Sequence, residues 1–207
     1  FCDWSSDVCS SDLLGSVLVT GGTKGIGLAI AGHLAARGQP LVLGWNSDRD
    51  AADAAVARIE ALGVPVRAVQ AQVGDPDQVS RLVDAAGELA SGPLHIVHSA
   101  AAIYPTALLE ADLDLFTQAI QTNGLSLLYL VRKALPRLER GSSVVFISSA
   151  GAHTTLPNYA ALGCGKALAE SLIRYLVPEL APRGIRINAV APGLVATTSV
   201  ARMTGSE

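Results

Sequence analysis

The sequence predicts an α/β domain, a doubly wound parallel sheet in a three-layer αβα arrangement. Three observations carry this reading. Short apolar runs alternate with segments of helical period along almost the whole chain. The runs are continuously apolar and do not alternate with polar residues, as expected when helices cover both faces of a sheet. The first run also leads directly into a glycine-rich turn and a helix, the opening of a βα unit.

The elements follow in order. Ser16-Val-Leu-Val-Thr20 reads as a buried strand, the loop Thr20-Gly-Gly-Thr-Lys-Gly-Ile-Gly27 follows, and Leu28 to Arg37 reads as a helix stopped by Gly38. The second strand is Leu41 to Gly44, and a helix runs from near Asp48 to Leu62, closed by Gly63. Val66 to Gln70 is the third strand, followed by a helix over Asp77 to Ala90. Leu94 to His98 is the fourth, followed by one long helix from Asp112 to Leu138. Ser143 to Ile147 is the fifth, Asn158 to Leu180 the helix after it, and Ile185 to Val190 the sixth. Right-handed crossovers between such strands place ligands at their carboxyl ends.

Composition narrows the function classes. Of 207 residues half are apolar, 16% are charged and the net charge is −3, which suits one large core and gives no reason to propose nucleic-acid binding. The longest stretch without Lys, Arg, Asp or Glu, Gly141 to Gly165, is broken by Ser, Thr, His, Gly and Pro and reads as strand and loop, not as a membrane span. Phe1 to Leu13 has no secondary-structure period and resembles translated adapter sequence. It lacks the basic start and apolar core of a signal peptide, so residues 14–207 are read as the single domain. Two of the three cysteines, Cys2 and Cys9, lie in that leader; Cys164 alone makes no disulfide framework, and a cytoplasmic setting is expected. Cys164 stands between two glycines and reads as a small packing residue. No metal is expected, since His98 and His153 lie far apart and no His/Cys cluster exists.

Two motifs carry chemistry. A strand, a glycine turn and a helix N-terminus form an anion site from bare amides and the positive end of the helix dipole. Thr20, Gly21, Gly22, Thr23, Lys24, Gly25, Ile26 and Gly27 supply it, at a spacing G-x3-G-x-G that differs from G-x-G-x-x-G, and a dinucleotide is the expected ligand. Tyr159 and Lys166 stand seven residues apart. Within one helix such positions are nearly eclipsed and about 10.5 Å apart along the axis, so both would lie on one face.

From Ser16 onward the chain resembles the short-chain dehydrogenase/reductase superfamily, whose fold is Rossmann-type. The matches are Thr20–Gly27, Asn123, Ser149 after the fifth strand, Tyr159, Lys166 and Asn188-Ala-Val-Ala-Pro-Gly193. Ordinary members have Tyr-x3-Lys, whereas the position four before Lys166 is Leu162. Tyr-x6-Lys is the pattern of the enoyl-acyl-carrier-protein reductases, and Pro157-Asn158-Tyr159 and Val97-His98-Ser99 resemble the same branch. The glycine loop, Asn123 and Pro192-Gly193 keep the ordinary pattern. The mixture is most similar to the smaller NADPH-dependent branch of enoyl reductases.

The resemblance implies the roles. Hydride delivery to a carbonyl or a conjugated alkene develops negative charge on an oxygen, and a phenol beside that oxygen can stabilise or protonate it. Tyr159 would be that phenol, Lys166 would favour the phenolate and bind the nicotinamide ribose, Ser149 would hydrogen-bond the substrate oxygen, and Asn123 would hold a water behind Lys166. A phenol set back along the helix meets a different substrate oxygen, and a thioester carbonyl is a plausible target. Ser99, Ala100, Ala101, Pro192, Gly193, Val195 and Thr197 complete the expected cofactor contacts. The second strand leads into Trp45-Asn46-Ser47, without the aspartate that grips NAD ribose, and Lys24 offers a cation, so NADPH is expected over NADH. Gln72-Val73 occupies the usual Asp-Val adenine site, and Trp45 either stacks on adenine or caps the sheet edge. Tyr104-Pro105 lines an acyl pocket or is a turn.

The resemblance also implies homotetramers built on the helices Asp112–Leu138 and Asn158–Leu180, and a small-molecule or acyl-carrier-bound thioester as partner, with no nucleic acid and no membrane. Relatives continue beyond Glu207 with a substrate-covering segment, so the chain reads as C-terminally truncated. Two alternatives stay open. Ser149 and Asn123 also suit a carbonyl reductase, such as a 3-oxoacyl-thioester reductase or alcohol dehydrogenase. A non-catalytic cofactor-binding chain or inactive fragment is the other.

Overall fold

The computed structural model describes residues 15–193 and 195. Six parallel strands form one sheet: β1 (Ser16–Thr20), β2 (Leu41–Trp45), β3 (Val66–Gln70), β4 (Leu94–His98), β5 (Ser143–Ile147) and β6 (Arg186–Val190). Their spatial order is β3-β2-β1-β4-β5-β6, so the winding reverses between β1 and β4. A reversal of this kind opens a crevice at the carboxyl ends of the two central strands, where Thr20 and His98 are ladder partners.

Six α-helices cover the sheet: α1 (Gly25–Ala35), α2 (Arg49–Glu60), α3 (Pro76–Leu89), α4 (Leu113–Ile120), α5 (Ser126–Ala134) and α6 (Ala160–Leu180). Strand side chains alternate between the faces. Val17, Val19, Leu41 and Leu43 join Ala31, Ala35, Ala55 and Ile59 of α1 and α2 in one core. Leu18, Val42, Ile96, Val144 and Phe146 join Leu82, Leu127, Leu130, Ala169 and Ile173 of α3, α5 and α6 in the other. Both central strands are therefore buried on both faces, which explains their unbroken apolar runs. Aspartates at the N-caps of α2, α3 and α4 (Asp48, Asp75 and Asp112) accept backbone N–H bonds and fix where these helices start.

Three expected elements differ in detail. The first helix starts inside the glycine loop, at Gly25, because the Leu28 N–H already bonds the Lys24 carbonyl at 3.1 Å. The expected long helix is two helices, α4 and α5, joined by a π-helical turn at Gln121–Leu125, and it stops at Ala134. The wider turn lets Asn123 and Gly124 press against α6, where a Cβ on Gly165 would lie 2.5 Å from the Asn123 Cβ. Tyr159 is not inside the last helix. Asn158 takes a left-handed conformation (φ 56°), Tyr159 stands at the N-cap with φ −105°, and α6 begins at Ala160. The axial offset expected for two helical residues thus does not describe Tyr159 and Lys166.

No described helix is long and apolar enough to cross a membrane. No group of three or more His, Cys, Asp or Glu suited to a metal ion occurs among the described residues.

The helix contact at Gly165 has a measurable counterpart. Gly165→Ala should lower unfolding stability in urea by about 1–3 kcal/mol, because backbone must shift to admit the methyl. Gly32→Ala in α1, where nothing lies within 4 Å, should raise stability by about 0.5–1 kcal/mol.

Candidate active site

The glycine loop is anchored by a buried imidazole. His98 Nδ1 lies 2.6 Å from Thr20 Oγ1, and Nε2 lies 2.7 Å from Ser126 Oγ. The Ser126 hydroxyl donates to the Thr122 carbonyl at 2.6 Å, so it accepts from Nε2–H, and Nδ1 accepts from the Thr20 hydroxyl. Thr20 Oγ1 also accepts from the Ala100 N–H at 3.3 Å. This assigns a neutral ring with its proton on Nε2. Burial, together with the nearby Lys166 charge, pushes the His98 pKa down to about 3.

Two adjoining chambers open above the strand ends. One is bounded by Gly21, Thr23, Lys24, Gly25, Ile26, Gly27, Trp45, Asn46, Ser47, Ser99, Ala100, Ala101, Ser149, Tyr159, Lys166, Pro192, Gly193 and Val195, which were expected site residues, and by Asp48, Ile103, Ile147, Ser148 and Leu162, which were not. The other, a cavity of about 370 Å³, reaches Gln72 and Val73 and shares Gly21, Trp45, Asn46, Ala100 and Ala101 with the first. Trp45 therefore lies on the boundary of both chambers.

Three expected site residues do not line either chamber. Thr20 is fully buried beneath the loop, its hydroxyl committed to His98. The Gly22 amide bonds the Gly44 carbonyl at 3.1 Å and so is not free for an anion. Asn123 is buried, and its side-chain amide both accepts from Ala102 N–H and donates to Ala102 C=O, each at 2.9 Å. Its side chain therefore pins the strand-end loop. Thr197 lies outside the described residues.

The reactive side chains meet in the first chamber. The Tyr159 hydroxyl lies 2.8 Å from Ser149 Oγ. Leu162, with 6% of its surface exposed, occupies the position where ordinary relatives carry the phenol. Lys166 donates from Nζ to the Ile147 carbonyl at 2.7 Å and lies 4.4 Å from the Phe146 ring centroid. Burial lowers its pKa to about 7.

Sequence reasoning missed several contributors. Asp48, one residue beyond the Trp45-Asn46-Ser47 segment, forms an ion pair with Lys24, and its other oxygen accepts from the Ala51 N–H at 2.9 Å. Gln118 and Thr122 line the second chamber, beside Tyr104, one of the two residues read as pocket or turn. The N-cap signal at Asp48 was readable; its reach across to Lys24 was not.

The residues fit a dinucleotide. The first turn of α1 has neither a side-chain cap nor an acidic residue, leaving amides for phosphate. The loop is bare backbone where it packs tightest, since a Cβ on Gly27 would lie 2.2 Å from the Gly21 carbonyl oxygen.

The chain is similar over most of its length to known oxidoreductases. The family described as enoyl-(acyl carrier protein) reductase matches residues 21–207. The chain is 33% identical over 183 residues to 1-cyclohexenylcarbonyl-CoA reductase of Streptomyces collinus, covering 88% of this chain and 65% of that protein. It is 33% identical over 197 residues to an NADPH-dependent aldehyde reductase-like chloroplastic protein of Arabidopsis thaliana, covering 87% and 72%. A short-chain dehydrogenase of Burkholderia cenocepacia, solved in complex with NADP, superposes with a TM-score of 0.85 at 32% identity, covering 89% of this chain and 76% of that one.

The two buried bases make opposite ends of the pH scale informative. Unfolded lysine, with a pKa of 10.5, holds its proton where folded Lys166 has lost it, so this residue's contribution to stability rises as pH climbs from about 7 to 10.5. Unfolded histidine gains a proton below 6.5 where folded His98 does not, so stability falls as pH drops from 6.5 toward 3. Urea midpoints across both windows should show the first slope abolished in Lys166→Met and the second in His98→Asn.

Proposed function

Because the chain belongs to the short-chain dehydrogenase/reductase family it is an NAD(P)-dependent oxidoreductase, and we propose that it uses NADPH to reduce the carbon–carbon double bond of an enoyl thioester. The observation that carries this reading is the displaced phenol. Leu162 fills the ordinary position, while Tyr159, seven residues before Lys166, meets Ser149 in the chamber. Similarity to a 1-cyclohexenylcarbonyl-CoA reductase supports it.

When bound, the nicotinamide supplies a hydride to the alkene carbon. The chain's own residues manage the charge that then reaches the thioester oxygen. Tyr159 Oη, oriented by Ser149 Oγ, donates to that oxygen as charge develops. Lys166, held against Ile147 and Phe146, gains a reason to stay protonated once an anion or phenolate is near, which offsets the desolvation that lowers its pKa. Gly21, Thr23 and the amides of Gly25, Ile26 and Gly27 would hold the pyrophosphate, Gln72 and Val73 the adenine, and Lys166 the nicotinamide ribose. Lys24, drawn from Asp48 toward a 2′-phosphate, accounts for the preference for NADPH; the NADP-bound neighbour supports it.

A second reading, reduction of a 3-oxoacyl thioester or another carbonyl, is favoured by the serine at position 149, whose hydroxyl suits a ketone oxygen equally well. One set of assays on the full-length protein separates the two. Crotonyl-thioester reduction should exceed acetoacetyl-thioester reduction, and Tyr159→Phe should lower turnover about 10²–10³-fold with little change in NADPH affinity. Exclusive reduction of the ketone would transfer the function to the second reading. Lys24→Ala should narrow the NADPH preference by about 1–2 kcal/mol in a cofactor titration.

Exposed apolar side chains on α4 and α6 also suit self-association. Leu113 on α4 and Tyr175 and Val177 on α6 are exposed. A homo-oligomer built on these helices should register in light scattering of the full-length chain, and a stable monomer would rule it out.

A further inference from the structure

We propose that Glu170 is a positioning residue: its single carboxylate clamps both ends of the segment that carries Ser149. Glu170 stands on α6 four residues after Lys166, one turn further along the same side of the helix. One of its oxygens accepts from the hydroxyl of Ser148. The other lies 2.6 Å from Nε2 of His153. Ser148 and His153 bracket the 3-10 turn Ala150–Ala152, at whose head Ser149 Oγ accepts from the Gly151 N–H at 3.2 Å.

The two arms are unequal. The Glu170 side chain is only 13% exposed and Ser148 is buried, so the hydroxyl–carboxylate bond is charge-assisted and poorly screened. The His153 side chain is 66% exposed, and water screens that arm. Together they fix a short segment at both ends from one rigid helix.

Movement of this segment would be felt at the reacting groups. A Cβ on Gly151 would lie 2.4 Å from the Tyr159 ring, and one on Gly163 would lie 2.6 Å from the Gly151 carbonyl oxygen. The turn, the phenol ring and the first turn of α6 are thus in close contact. A shift of the turn displaces Ser149 Oγ and the Tyr159 ring together, and their 2.8 Å hydrogen bond sets the donor pair. Glu170 does not line the chamber; it acts through Ser148 and His153.

The inference rests on Ser149 and Tyr159 as the donors to a substrate oxygen, whichever thioester supplies it. It is therefore tested on whichever of the crotonyl and acetoacetyl thioesters the full-length enzyme reduces, so failure of the enoyl reading leaves it standing. Glu170→Ala should lower kcat by roughly 10- to 100-fold while the Kd for NADPH changes by no more than about twofold. Glu170→Gln should recover most of the rate, because its amide can accept from Ser148 and hydrogen-bond the His153 ring nitrogen. Amide hydrogen exchange over residues 148–153 should quicken in Glu170→Ala and return to normal in Glu170→Gln, a readout that needs no turnover. Unchanged exchange in Glu170→Ala overturns the proposal, as does an equal loss of kcat and NADPH affinity. Should Glu170→Ala fail to fold, Ser148→Ala and His153→Ala release one arm each, and normal exchange in both overturns it as well.

Discussion

The neutral imidazole of His98 ties the π-helical turn to two strand ends that the sheet already sets side by side. Through Thr20 it holds the start of the glycine loop, through its own strand it holds the end of β4, and through Ser126 it holds the π-helical turn. Each hydrogen bond is made in a fully buried place, where an unmatched donor or acceptor is costly. The arrangement works only for one tautomer and one charge state. Both chambers depend on it: Ala100 and Ala101 on their shared boundary follow His98 directly, and Asn123, which pins Ala102, lies in the turn that Ser126 completes.

Lys166 is placed by a similar trade. A backbone carbonyl and an aromatic ring receive its ammonium. Burial lowers its pKa to about 7, so its charge depends on what else enters the chamber. Lys24 behaves oppositely. It is half-exposed and already paired with Asp48, so water screens the pair and its position is open to competition.

Strands and helices were legible in the sequence because they follow from periodicity, and the phosphate loop because a glycine turn joins a strand to a helix; Ser149, Tyr159 and Lys166 were singled out by resemblance to the family. What escaped depends on local backbone geometry or on partners distant in sequence. The π-helical turn leaves no mark on apolar spacing, so Asp112 to Leu138 looked like one helix. Asn158 at φ 56° moves Tyr159 off the helix, and asparagine's tolerance of that conformation was the only hint. Glu170 carried no signal in the sequence, because its partner Ser148 lies 22 residues away. Gly22 looked like an anion ligand, but its amide was already taken by β2.

The two chambers share Gly21, Trp45, Asn46, Ala100 and Ala101, and so form one bent trough with two separate ends. A long ligand that fills both behaves as two fragments joined by a tether. Once one end is seated, the other is presented to its chamber at an effective concentration on the order of millimolar, with no further contact needed. Either fragment alone would bind weakly and leave quickly, whereas the joined molecule stays while one end lets go and rebinds. Recognition of one end can thereby be kept loose, free to shift during turnover, as long as the other end holds.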